Sequence, residues 1–204
     1  MEVYFICNNL LENNLSYADK GNLEKKKMTR PLSANGEKIA KNIATSDEFL
    51  ETDLIYSSIY SSSLDSAKYL AERLEEKIFV DENLNDATIG ILGRRTLREV
   101  KEMQNRDFDL KLTDGESLSD VTARINDFMK KVLNLGVGKV LLFTHRRVIL
   151  GYLINNAEIG YNLNDDLVVS YNEEVIYDET DKDVDIIKVT YDDKEITNIE
   201  VIDL

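Results

Sequence analysis

The chain has 204 residues, 43% of them hydrophobic and 31% charged, and a formal net charge of −14 at pH 7. That length suits one domain with a full core, no apolar stretch is long enough for a bilayer, and the negative field repels nucleic acid and acidic membranes. One histidine and one cysteine exclude an internal disulfide and cannot complete a zinc set, so neither metal nor cofactor is expected; with no export signal, a lone thiol points to the cytoplasm.

In chain order, Val3 to Ile6 reads as a first strand stopping at Cys7-Asn8-Asn9, small polar residues suited to a strand end near a ligand. Leu10 to Arg30 has no steady apolar period and carries Lys20 and Lys25-Lys26-Lys27, which predicts a long surface loop. Ser33 can cap a helix over about Asn35 to Leu50, with Ile39, Ala40 and Ile43 inward and Gly36 in its first turn. Asp53 to Ser58 is a second strand ending in serines. Ser61-Ser62-Ser63 then bridges to a helix whose Leu64, Ala67, Leu70, Ala71 and Leu74 keep the 3.6-residue period.

Ile78 to Val80 reads as a short third strand, Asp81 to Leu92 as an irregular acidic connection containing Asp86, and Thr96 to Met103 as a short helix. Ser117 with Asp120 has the spacing of a capping box for a long helix, whose buried stripe is Leu118, Val121, Ile125, Phe128, Val132 and Leu133.

Lys139 to Asn156 holds the only histidine. Val140 to Phe143 is an unbroken apolar run, as for a strand buried on both faces of a parallel sheet, and Thr144-His145-Arg146-Arg147 precedes a helix carrying Val148, Leu150, Tyr152 and Leu153. A histidine and two arginines beyond a strand's carboxyl end suit a phosphate or carboxylate pocket; a histidine hydrogen-bonded only for structural reasons fits equally. From Leu167 onward the pattern is strand-like, with a hairpin turn at Asp192-Asp193-Lys194 and an acidic run, Asp178 to Asp185, read as a solvated loop. The whole order indicates an α/β sandwich with an antiparallel edge.

Several segments also resemble, in order, those of the histidine phosphatase superfamily, the phosphoglycerate mutase-like proteins. MEVYFICNN resembles its first strand ending in Arg-His-Gly, RPLSANGEKIA its Pro-Leu-Thr-x-x-Gly segment, and DLIYSSIYSSSLDSA its Tyr-Ser-Ser-Pro strand with a following arginine. DENLND sits where the family has Leu-x-Glu, DGESLSDV is similar to its Gly-Glu-Ser helix start, VLLFTHRRVI to the strand before Ser-His-Gly-Gly, and YNEEV to the late Asn-Ala-Ser-Val. The resemblance implies a single domain over residues 1–204, a three-layer α/β/α sandwich with a mostly parallel sheet, an antiparallel edge and a β-rich tail.

In the family the first-strand histidine is the phosphorylated nucleophile, two arginines hold the phosphate oxygens, a second histidine stabilises the transferring group and a carboxylic acid protonates the leaving oxygen. Carried over, the nucleophile's place falls on Asn8, its arginine neighbour's on Cys7, the glycine's on Asn9 and the second arginine's on Ser62; His145 and Asp86 keep the later roles. An amide nitrogen has its lone pair in the carbonyl and cannot take a phosphoryl group. Removing a nucleophile costs on the order of 10⁴ to 10⁶ in turnover.

A catalytically degenerate homologue is therefore expected, more a regulatory or binding module than an enzyme, with Asn8, Asn9, Ser62, His145, Arg146 and Arg147 as candidates for a small anionic ligand. The alternative is a phosphatase or phosphomutase of altered chemistry using His145, Asp86 and Cys7, the last as a thiolate if nearby cations allow one. Arg146 and Arg147 could bind an anion, fill the vacated space or point to solvent. A homodimer is expected only on general grounds.

Overall fold

The structure is a computed structural model that describes residues 1–8, 10–11, 23–180 and 184–203, apart from the side chain of Leu23. Its main sheet contains β1 (Glu2–Asn8), β2 (Leu54–Ser57), β3 (Ile78–Val80), β4 (Lys139–Phe143), β8 (Val184–Asp192) and β9 (Glu195–Val201), in the order β3-β2-β4-β1-β8-β9. The first four of these, β1 to β4, run parallel, and β8 and β9 add an antiparallel edge. A second, antiparallel sheet follows in the C-terminal part, made of β5 (Glu158–Tyr161), β6 (Leu167–Tyr171) and β7 (Glu174–Asp178).

Strand alternation divides the core. Val3, Phe5 and Cys7 of β1 face one layer, which includes α5 (Leu118–Val132) and α6 (Arg146–Leu153); Tyr4 and Ile6 face the other, with α2 (Ala34–Thr45) and α3 (Ser61–Leu74). Val140 to Phe143 are wholly buried, because β4 lies between β1 and β2 with a helical layer on each face. The α5–α6 approach is close: a Cβ on Gly151 would stand 2.9 Å from Val121 Cγ1. The three-layer α/β/α arrangement expected from the sequence is present.

Local signals hold where the partners are near in sequence. Ser33 caps α2 through the Gly36 amide, Ser117 and Asp120 form the capping box of α5, and Asp193 and Lys194 take the left-handed conformations of a tight hairpin turn. Other boundaries differ. The helix expected to Leu50 ends at Thr45, and a separate 3-10 turn, capped by Ser46, covers Asp47–Phe49. Ser61, Ser62 and Ser63 are the first turn of α3 rather than a connection before it, and β5 has no counterpart among the expected strands. The loop expected over Leu10 to Arg30 contains α1 (Leu23–Met28) in its described part, its Lys27 and Glu24 docked on the backbone of Ala87 and Ile89, too far away in sequence to read locally.

Candidate functional site

The parallel strands end in register, which gathers the polar strand ends onto one edge. Thr144 N donates to Ile6 O at 2.9 Å, Ser58 N to Phe143 O at 3.0 Å and Asp81 N to Ser57 O at 3.0 Å, carrying the ladder one residue past each strand. Cys7 and Asn8, Ser58, and His145 thus share the carboxyl end of the sheet, the usual ligand edge of an open α/β fold. His145 is the N-cap of α6 by backbone geometry, although its ring makes no capping bond.

Ser58 Oγ lies 2.9 Å from His145 Nε2 and Ser63 Oγ 3.4 Å away, while the Tyr60 ring packs edge-on at 4.6 Å between centroids. Burial lowers the imidazole pKa from 6.5 to about 4; Asp86 opposes the shift, and Lys27 and Arg124 reinforce it. His145 is therefore neutral at pH 7. It can hydrogen-bond an anion but lends it no charge. Ser58 is wholly buried, so its contact with His145 orients the ring without presenting a nucleophile to solvent.

Asp86 is an ion-pair partner. Lys27 Nζ stands 2.8 Å from its Oδ2 and donates to Ala87 O at 3.0 Å, and Asp86 Oδ1 accepts from Ala87 N at 2.9 Å. Burial alone would raise the carboxyl pKa, but Lys27 first, then His145 and Lys101, outweigh it and hold Asp86 well below the carboxylate range. Burial would likewise lower Lys27, yet Asp86 and Glu24 hold its ammonium above the ordinary value. Glu24, on the same short helix, accepts from Ile89 N at 3.3 Å and from Tyr60 Oη at 3.5 Å. In this arrangement Asp86 carries no proton to give to a leaving group.

Cys7 is 2% exposed, and burial first, with Asp185 and Asp86 adding and Arg146 opposing, pushes its thiol far above the ordinary value. It is a thiol, not the thiolate that the altered-chemistry alternative needs. Asn8 is buried, and its side-chain amide donates to Gly36 O at 2.8 Å while its Oδ1 accepts from Leu10 N at 3.3 Å. Gly36 is required there: a Cβ would fall 2.2 Å from Leu10 O. Ser62 is buried in the first turn of α3, its carbonyl accepting from Ser66 Oγ at 2.8 Å. Asn9 lies outside the described residues.

Neither arginine after His145 points to solvent. Arg146 grips Asp185 with Nη1 at 2.8 and 2.7 Å, donates from Nη2 to the Asp178 carbonyl and lies over the Tyr177 ring at 4.6 Å. Asp185, expected in a solvated loop, is instead a buried residue of β8. Arg147 is 2% exposed and donates to Asn105 Oδ1 at 2.5 Å and Gln104 Oε1 at 2.9 Å, tying α6 to α4 (Leu97–Arg106). The contributions of Lys27, Lys101 and Ser58 were not singled out by sequence pattern. Ser58 stood in a polar strand end, but nothing local distinguishes Lys27 from Lys25 and Lys26.

No group of three or more His, Cys, Asp or Glu among the described residues could hold a metal, and no helix among them is long and apolar enough to cross a membrane. A groove of about 630 Å³, bounded by Met129, Leu133, Tyr152, Tyr191 and Ile196, lies at the far ends of α5 and α6 and shares no residue with this site.

Compared with known proteins, residues 19–186 match the profile of the histidine phosphatase superfamily (branch 1). Curated relatives called "Probable phosphoglycerate mutase GpmB", from Escherichia coli and Shigella boydii, are 26% identical over 133 residues; the match covers 61% of this chain and only 62% of theirs. Among solved structures, mycobacterial glucosyl-3-phosphoglycerate phosphatase in complex with inorganic phosphate superposes with a TM-score of 0.68 at 16% identity, covering 98% of this chain and 94% of that one. The alpha-ribazole phosphatase from Shigella flexneri gives a TM-score of 0.64 at 17% identity, over 97% and 94%. At such identities the likeness establishes the fold.

Proposed function

The chain belongs to the histidine phosphatase superfamily, branch 1, and from that premise we propose that it keeps the family's ligand edge without its phosphoryl chemistry, binding a small anion as a regulatory or binding module. The observation that carries this is Asn8. At the position where the resemblance would put the family's nucleophile stands a buried carboxamide already spent on the backbone of α2. No lone pair is available there for phosphorus.

The neighbouring positions support the same reading. Cys7 supplies neither the family's guanidinium nor a thiolate, Ser62 supplies no charge, and Asp86 is ionised against Lys27 rather than poised as an acid. Positive charge near His145 comes instead from Lys27 on α1 and Arg124 on α5. The mycobacterial relative was solved with inorganic phosphate and with VO3, so an oxyanion is the ligand class to expect at this edge. The proposal includes a single domain over residues 1–204, a cytoplasmic location, a homodimer and no nucleic-acid partner, the last because a net charge of −14 repels polyanions.

The test is turnover of p-nitrophenyl phosphate and intact-mass search for a phosphorylated protein. Neither product is expected above background. Lys27→Met, which frees Asp86, should not create activity, since the missing part is the nucleophile. Steady phosphate release that His145→Ala abolishes would overturn the proposal.

A further inference from the structure

The main sheet has two edges, and they differ in chemistry. β9 carries Glu195 and Glu200 and no cation, so it repels a second strand like itself. β3 carries Ile78, Phe79 and Val80. Phe79 and Val80 are 45% and 52% exposed, and they are the one adjacent pair among the large apolar side chains left at the surface of the described residues. The Phe79 ring lies 5.6 Å from Tyr56, which meets Phe128 edge-on at 5.4 Å, so a row of aromatic rings runs out of the core and stops at this edge.

The backbone of β3 is half used. Asp81 N donates to Ser57 O on β2 at 3.0 Å. Because backbone groups alternate sides along a strand, Phe79, two residues earlier, also aims at β2, and Ile78 and Val80 turn their N–H and C=O groups outward. Lys77 and Asp81 flank the strand at equal distance from Phe79. Among the described residues the exposed Lys77 ammonium has no hydrogen bond or ion pair, and Asp81 is engaged only through Oδ1, by Asn83.

We propose that two copies of this chain associate through β3, the strands running antiparallel about a two-fold axis at Phe79. The proposal deepens the homodimer reading above and rests on it. In that register Ile78 of each copy exchanges hydrogen bonds with Val80 of the other, so every outward backbone group of the strand finds a partner. Phe79 meets Phe79 across the axis in a pair without backbone bonds, where facing side chains stand closest. Lys77 of each copy then stands opposite Asp81 of the other. The pairing ends there, because Glu82 begins a 3-10 turn before Glu76 could face it. A two-fold contact requires such self-complementarity, since one patch must fit its own copy.

Sedimentation velocity of the full chain over a concentration series at physiological salt tests this, and a dimer is expected. Val80→Pro removes an outward N–H and no bond to β2, so it should give a monomer whose circular dichroism matches the wild type. Lys77→Glu and Asp81→Lys each turn both cross-axis pairs into like-charge pairs, and each should weaken association by about tenfold or more. Mixed together, the two variants face opposite charges again and the dimer should return, a recovery that misfolding could not produce. A wild-type dimer unaffected by these substitutions, or a mixture that does not recover, would overturn the β3 assignment and leave the homodimer reading intact. A monomer at every concentration would sink both.

Discussion

His145 is kept neutral by burial, and that fixes how the protein should respond to acid. Its folded pKa, about 4, lies below the ordinary 6.5. Between these values the unfolded chain binds a proton that the folded chain does not, so stability falls as pH falls through 6.5 to 4, by no more than about 3 kcal/mol. Since His145 is the only histidine, no other imidazole blurs the effect. His145→Gln should flatten the plot of melting midpoint against pH over that window; a variant tracking the wild type would show that burial of this ring is not the cause. Asp86 acts lower on the scale. Its carboxyl is depressed by Lys27, so its contribution is intact above the usual carboxylate range and is lost only in stronger acid.

Among the elements, α5 and α6 carry the layer behind the site, and α5 depends on its first turn. Ser117 Oγ accepts from Asp120 N at 3.0 Å and Asp120 Oδ2 accepts from Ser117 N at 3.0 Å, satisfying two otherwise orphaned donors. Ser117→Ala should cost about 1 kcal/mol in urea unfolding without moving the site residues. An unchanged midpoint would mean that neighbouring contacts hold the helix start unaided. The short α1 is a different kind of element: six residues with three consecutive lysines have little helical stability alone, and its anchors are Lys27 on Asp86 and Glu24 on Ile89. Cys7→Arg, Asn8→His, Asn9→Gly and Ser62→Arg together would leave Asp86 ion-paired with Lys27 and place an arginine in the buried space of Cys7.

For the molecule as a whole, Lys27 and Arg124 lie near His145 within a chain of net charge −14. The surplus anions elsewhere repel one another, and the Debye length shrinks from about 30 Å at 0.01 M salt to about 8 Å at 0.15 M. Raising sodium chloride across that range should therefore raise the melting midpoint. A fall would show that the surface pairs, such as Arg98–Glu102 and Lys130–Asp127, outweigh the general repulsion.

The sequence by itself determined the layered fold, β4 with His145 at its end, the caps of α2 and α5 and the hairpin at Asp193, because each is written in residues within a turn or a strand of one another. The proposed loss of the nucleophile is likewise read from one residue, Asn8. Only the tertiary structure decided that Lys27 reaches Asp86 across 59 positions, that Arg146 and Arg147 turn inward to Asp185 and to the amides of α4, and that Cys7 is sealed. A charge carries no local mark of its partner. Which ions meet, and which are left without one, is settled when distant segments close on each other and water is excluded between them.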